Sequence, residues 1–144
     1  MALDDVNGGQ RLRSIKDLGV LLIEDDGFTR RLVSRLLQDL NVRMVWEAAD
    51  GMQALEILRD QQDNIDIAIC DLEMPRMGGL DLLHALRTAT GNPLADLPVV
   101  VLTAHRDAET VKRAIAYGIS GYLVKPVSKA DLVKRLSFAV QKAK

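Results

Sequence analysis

Four sets of residues could do chemistry if they met: the acidic run Glu24-Asp25-Asp26, and Asp71, Thr103 and Lys125. Each has an ordinary reading taken singly. The acidic run would sit favourably at a helix N-terminus, where the dipole welcomes negative charge. Asp71 would cap a turn, Thr103 would end a strand, and Lys125 would be surface charge. Gathered in one place they suggest something more specific. Three crowded carboxylates repel, and a divalent cation is the usual remedy. Mg²⁺ takes an all-oxygen site of one or two carboxylates, waters and a phosphate. A hydroxyl and an ammonium opposite the metal could hold the other oxygens of a transferring phosphoryl group. Asp71 would then be a nucleophile that forms an acyl phosphate.

Such a set needs elements that end at one edge. Apart from Asp66, Ile65 to Cys70 is an apolar, β-branched run of strand length that stops at Asp71. Met74-Pro75 and Gly78-Gly79 then forbid continued regular structure. Val20 to Ile23 is a short buried-strand run ahead of Glu24. Pro98 opens Val99 to Leu102, which ends in Thr103-Ala104, and Gly121 to Val124 ends in Lys125-Pro126. Val42 to Val45, continued through Trp46 to Ala48, is a further strand without a polar end.

Helical patterns fill the gaps. Phe28, Leu32, Leu36 and Leu40 recur every four residues beside Val33 and Leu37, with Arg30, Arg31, Arg35 and Gln38 on the other face. Asp50 and Gln53 start a helix bearing Ala54, Leu55 and Leu58. Leu80, Leu82, Leu83 and Leu86 mark a third, stopped by Gly91-Asn92-Pro93. Asp107 would cap a fourth through Val111, Ala114 and Ile115, closed by Gly118 at C′. Ser128 and Asp131 form a capping box before Leu132, Leu136, Ala139 and Val140. Five strands alternating with five helices imply an α/β fold, a parallel sheet covered on both faces. In such a sheet every strand ends at the same edge, and the chemical residues converge there.

The 144 residues make one domain, 48% hydrophobic and 27% charged, as in soluble globular proteins. A net charge of −1 gives no electrostatic case for direct nucleic acid binding or an anionic membrane. The single Cys70 excludes an intramolecular disulfide and a cysteine metal cluster, which is consistent with a reducing cytoplasm. Residues 1–17 read as a flexible leader with a solvated Asp4-Asp5 pair and no signal-peptide core. No run approaches the ~20 apolar residues of a membrane span. Nucleotide-binding loops and the nucleophile elbow are absent. His84 reads as surface or half-buried, His105 as a neighbour of the site, and Met74 and Met77 as loop packing.

Glu24-Asp25, Asp71-Leu72-Glu73-Met74-Pro75 with Gly79-Leu80, Thr103-Ala104, Gly121-Tyr122 and Lys125-Pro126 together resemble the receiver domain of two-component response regulators. The resemblance covers roughly residues 18–143, so the domain is taken as 18–144. It implies a flavodoxin-like, doubly wound sheet in the order 2-1-3-4-5. It makes Asp71 the phosphoacceptor, supplied by a histidine kinase or histidine phosphotransfer protein. Asp25 would ligate Mg²⁺ (or Mn²⁺) directly, Glu24 more through water, and the backbone carbonyl of Glu73 would complete the site. Thr103 and Lys125 would bind the phosphoryl oxygens, Thr103 and Tyr122 would form the switch, and the Lys125–Pro126 bond would be cis. Output would pass to a protein target through the face of the fourth helix, fifth strand and fifth helix. Departures from the family pattern are Gly78, where Asp is common, and Val127, where an aromatic is frequent. Glu73 and His105 stand where the family tunes the lifetime of the phosphoryl group.

The resemblance implies a cytoplasmic, stand-alone regulator similar to those of chemotaxis. It would catalyse only its own phosphorylation and dephosphorylation. One alternative is the receiver of a longer regulator, and another is a scaffold that accepts no phosphoryl group. A third, of another class, is an aspartate-nucleophile phosphohydrolase resembling the haloacid dehalogenases. Those carry the nucleophile near the first strand in an Asp-x-Asp pattern, whereas Asp71 is on the third strand with no room for a cap domain.

Overall fold

The computed structural model describes residues 14–74, 77–88, 93–104 and 108–143. Strands β1 (Gly19–Ile23), β2 (Met44–Ala48), β3 (Ile67–Asp71), β4 (Val99–Thr103) and β5 (Gly121–Val124) alternate with helices α1 (Gly27–Asp39), α2 (Gly51–Gln61), α3 (Gly79–Arg87), α4 (Ala108–Ala116) and α5 (Lys129–Ala143). All strand pairs are parallel, in the order β2-β1-β3-β4-β5. The chain leaves β1 for the β2 edge and returns on the other side at β3. That reversal opens a crevice at the carboxyl ends of β1 and β3.

Every residue of β1, β3 and β4 is buried, which is why their sequences are continuous apolar runs. Successive side chains point to opposite faces. Leu21, Ile23, Ala68, Cys70, Val99 and Val101 meet α2 and α3 through Leu58, Leu82, Leu83 and Leu86. Val20, Leu22, Ile67, Ile69, Val100 and Leu102 meet α1 and α5 through Val33, Leu37, Leu132 and Leu136.

The buried line of α1 differs from the expected one. Val33, Ser34 and Leu37 are buried, while Phe28 is 70% and Leu32 39% exposed. Each step of four residues advances about 40° around a helix, so the Phe28-Leu32-Leu36-Leu40 series drifts across the boundary of the buried face. Only its later members pack against the core. The outward placement of Arg30 fails too, because its side chain folds back onto the sheet edge.

Caps form largely as expected. Asp50 accepts from the Gln53 N–H at 2.9 Å, but Gln53 Oε1 accepts from Ala49, one residue before the cap, at 2.8 Å. Gly118 closes α4 at φ +75, a conformation that costs a residue without Cβ little. Ser128 Oγ accepts from the Asp131 N–H at 3.1 Å. The Lys125–Pro126 bond is cis.

Ser14 and Asp17 form a capping box around a single 3-10 turn, Ile15–Asp17, whose Ile15 packs against the α1/α5 side of the core. The expected leader thus overlaps a packed turn at its last residues, since two reciprocal hydrogen bonds and one apolar contact hold that turn. Asp4-Asp5, Pro75, Gly91-Asn92, His105 and Asp107 lie outside the described residues. No helix among the described residues is long and apolar enough to cross a membrane.

Candidate functional site

Each site residue stands where its element stops. The Glu24 N–H bonds to the Ala48 carbonyl at 3.0 Å, carrying the β1–β2 ladder one residue past the strand. Asp71 closes β3 and is 5% exposed, and the Glu73 N–H of the following loop donates to its Oδ1 at 3.2 Å. The Gly79 N–H turns that loop back by donating to the Leu72 carbonyl at 3.0 Å. A Cβ on Gly79 would lie 2.8 Å from Leu72 Cα and closer still to the Asp71 carbonyl oxygen, so only glycine lets α3 start this close to the site. Thr103 ends β4 and is buried, and its carbonyl accepts the Lys125 N–H at 2.9 Å.

Carboxylate oxygens of Glu24, Asp25 and Asp71 lie within 4.8 Å of one another. Glu24 is fully buried and Asp25 exposed, so the cluster runs from the interior to solvent. Lys125 Nζ sits 2.6 Å from Glu24 Oε1 and 3.3 Å from Asp71 Oδ2. At 2.6 Å the Lys125 ammonium is the partner of the buried Glu24 Oε1. Glu24 Oε2 accepts from the Asp26 N–H at 3.1 Å.

The acidic run divides. Asp26 stays outside the cluster and caps α1, its Oδ2 accepting from the Thr29 N–H at 3.0 Å and the Thr29 hydroxyl at 2.6 Å. The helix-cap reading therefore holds for Asp26 alone, and those hydrogen bonds keep its carboxyl below the usual range.

Tyr122 pairs in register with Val101, so it shares a sheet face with Thr103, two residues further along β4. It is 38% exposed. The Glu73 side chain is exposed, and so is His84, on α3, whose Nδ1 lies 3.5 Å from the Tyr117 hydroxyl. Sequence reasoning missed Arg30, whose Nη1 donates to the Glu24 carbonyl at 2.7 Å. Helical side chains lean towards the helix N-terminus, and that lean was the available signal.

Burial pushes the Glu24 carboxyl up to about 7, against the pull of the Lys125 ammonium and the Asp26 N–H. Burial raises Asp71 too, opposed by the Glu73 N–H and by Lys125. Burial alone would lower Lys125, but the two carboxylates outweigh it and leave the ammonium harder to deprotonate. Burial raises the Cys70 thiol, so it is inert as a nucleophile.

The oxygen-only donor set, three carboxylates running from the interior to solvent, fits a hard divalent cation. In the metal-free protein a consequence follows for stability. Between 4.5, the ordinary Glu24 value, and about 7 the folded chain holds a proton that the unfolded chain has released. Stability therefore falls as pH rises through that window, by a few kcal/mol at most. Glu24→Gln is expected to flatten that slope in thermal melts run in chelator, and an unchanged slope would assign it to other groups.

The response regulator receiver domain family model matches residues 20–137. The chemotaxis protein CheY-3 of Vibrio cholerae serotype O1 is 36% identical over 121 residues, 84% of this chain and 90% of that protein. The two-component response regulator-like PRR73 of Oryza sativa subsp. indica is 33% identical over 124 residues, 85% of this chain but 16% of that protein. Vibrio cholerae CheY4 superposes with a TM-score of 0.76 at 31% identity, covering 89% of this chain and 99% of that one. The receiver in the CheX-CheY-BeF3-Mg²⁺ complex of Borrelia burgdorferi gives 0.75 at 25% identity, covering 83% and 86%. With the sheet order, the acidic crevice and a family match running from β1 into α5, this chain belongs to the response regulator receiver domain family.

Proposed function

We propose that Asp71 is the phosphoacceptor of this receiver, taking a phosphoryl group from a phosphohistidine on a histidine kinase or histidine phosphotransfer protein. The observation that carries this is the joint placement of Asp71, Glu24 and Asp25 within 4.8 Å, with Lys125 against two of them. An Asp71 carboxylate oxygen attacks phosphorus in line. The bond from phosphorus to the donor imidazole breaks, its electron pair stays on the ring nitrogen, and an acyl phosphate remains on Asp71.

Asp25, Glu24, Asp71 and the Glu73 carbonyl would hold Mg²⁺ (or Mn²⁺). That ion neutralises charge on the transferring oxygens when bound. The Borrelia burgdorferi complex, which pairs a receiver with Mg²⁺ and beryllofluoride, supports this choice. Lys125 turns its ammonium from the carboxylates to the incoming phosphoryl oxygens, and Thr103 brings a hydroxyl to them. Attack of water on phosphorus later restores the Asp71 carboxylate. Incubation with acetyl phosphate and Mg²⁺ should add one phosphoryl group that maps to Asp71 by mass spectrometry. Mapping to another residue would overturn the assignment.

Output passes by protein contact through α4, β5 and α5, where Ile115, Tyr122 and Phe138 expose 57%, 38% and 48% of their surface. A phosphoryl group adds up to about two negative charges. It draws the Thr103 hydroxyl inward, and Tyr122 on the same sheet face follows into the vacated space. The shift is between two packings, so a few kcal/mol of preference for the phosphorylated state suffices. NMR shifts with beryllofluoride and Mg²⁺ should reach Tyr122 and α4. Changes confined to the loops around Asp71 would sink this route.

A further inference from the structure

Arg30 lies on α1, but its guanidinium closes over the end of β1. Nη1 donates to the Glu24 backbone carbonyl at 2.7 Å, and Nε pairs with Glu47 Oε1 at 3.3 Å. Glu47 Oε2 accepts in turn from the hydroxyl of buried Ser34 at 3.3 Å. The Glu24 N–H is already tied to Ala48 on β2. Both backbone groups of Glu24 are therefore held, one by the sheet and one by Arg30.

The consequence falls on the next residue. Among the described residues the Asp25 carboxylate has no hydrogen-bond or ion-pair partner that would set its direction. It nevertheless lies within 4.8 Å of the Glu24 and Asp71 oxygens. The Glu24–Asp25 peptide plane fixes where the Asp25 backbone starts, and the oxygen of that plane is the atom Arg30 grips.

We propose that Arg30 is a positioning residue for the acidic pair: it clamps the Glu24 carbonyl and so points Asp25 into the cluster, with Glu47 and Ser34 holding the clamp. This rests on the reading of Glu24, Asp25 and Asp71 as a divalent-cation site.

The competing role, a charge that merely offsets the carboxylates, predicts the opposite sign. A guanidinium near the site repels a dication, so removing it should tighten Mg²⁺ binding by Coulomb's law alone. Loss of a positioning residue should weaken binding, by about 10–100-fold for groups that orient ligands. Arg30→Lys separates the two again, because it keeps the charge but not the planar fork that bridges two acceptors.

The test is calorimetric titration with MgCl₂ of the wild type, Arg30→Ala, Arg30→Gln and Arg30→Lys, with thermal melts in EDTA as a fold control. Kd is expected to rise about 10-fold or more in Arg30→Ala, with Arg30→Lys between it and the wild type. Binding by Arg30→Ala as tight as or tighter than the wild type overturns the proposal. If that variant does not fold, Arg30→Gln decides by the same criterion. A wild type that binds no Mg²⁺ overturns the cation-site reading, and the positioning role falls with it.

Discussion

Asp71→Asn is expected to lose phosphoryl uptake altogether, a fall of about 10³-fold or more in labelling rate, as when a nucleophile is removed. The amide matches the carboxylate in size and keeps an oxygen that can accept the Glu73 N–H, now at 3.2 Å. It carries no charge to attack phosphorus. The rest of the site survives, because the contact of Lys125 Nζ with Glu24 Oε1 at 2.6 Å does not involve Asp71. The fold should hold and even gain, since burial already disfavours the charged form of Asp71. A variant with higher thermal stability in chelator but no phosphoryl uptake would thus separate chemistry from folding. Phos-tag gels after acetyl phosphate and Mg²⁺ read the first, and thermal melts the second. Labelling of the Asn variant at the wild-type rate would remove Asp71 from the mechanism.

Neighbouring carboxylates should behave in opposite ways. Asp25→Ala is expected to weaken Mg²⁺ binding more than about 10-fold, because it deletes a charged oxygen from a site of few carboxylates. Asp26→Ala should leave Mg²⁺ affinity nearly unchanged. Its carboxylate is engaged by the Thr29 N–H and hydroxyl at 3.0 and 2.6 Å, so its loss shows as a lower melting temperature. The two variants differ by one position in sequence and should fail in different assays. Equal loss of Mg²⁺ affinity in both would mean that the acidic pair is displaced by one residue.

Hydrophobic periodicity and the polar strand ends suffice to state the layered fold and the edge at which the site lies. Apolar runs of strand length ending at Asp71 and Thr103, or just before Glu24 and Lys125, state both strand position and polarity. Parallel pairing then brings those ends together, whatever the loops do. The order β2-β1-β3-β4-β5 and the cis Lys125–Pro126 bond came from family resemblance, because periodicity says which residues are buried but not which strands are neighbours.

Other details come only from how the elements pack. The resemblance already put Asp25 rather than Asp26 in the acidic pair, but only the structure shows that Asp26 turns away to cap α1 while Asp25 joins Glu24 and Asp71. Phe28 continues the apolar spacing of α1, but the curvature of the stripe around the helix leaves it in solvent. Arg30 looked like outer-face charge because helical spacing describes where a side chain begins. Its reach to the Glu24 carbonyl depends on how α1 lies against β1 and β2. A periodic pattern averages over an element and so survives small errors. A single hydrogen bond depends on the relative placement of two elements to within about half an ångström, and no local pattern encodes that.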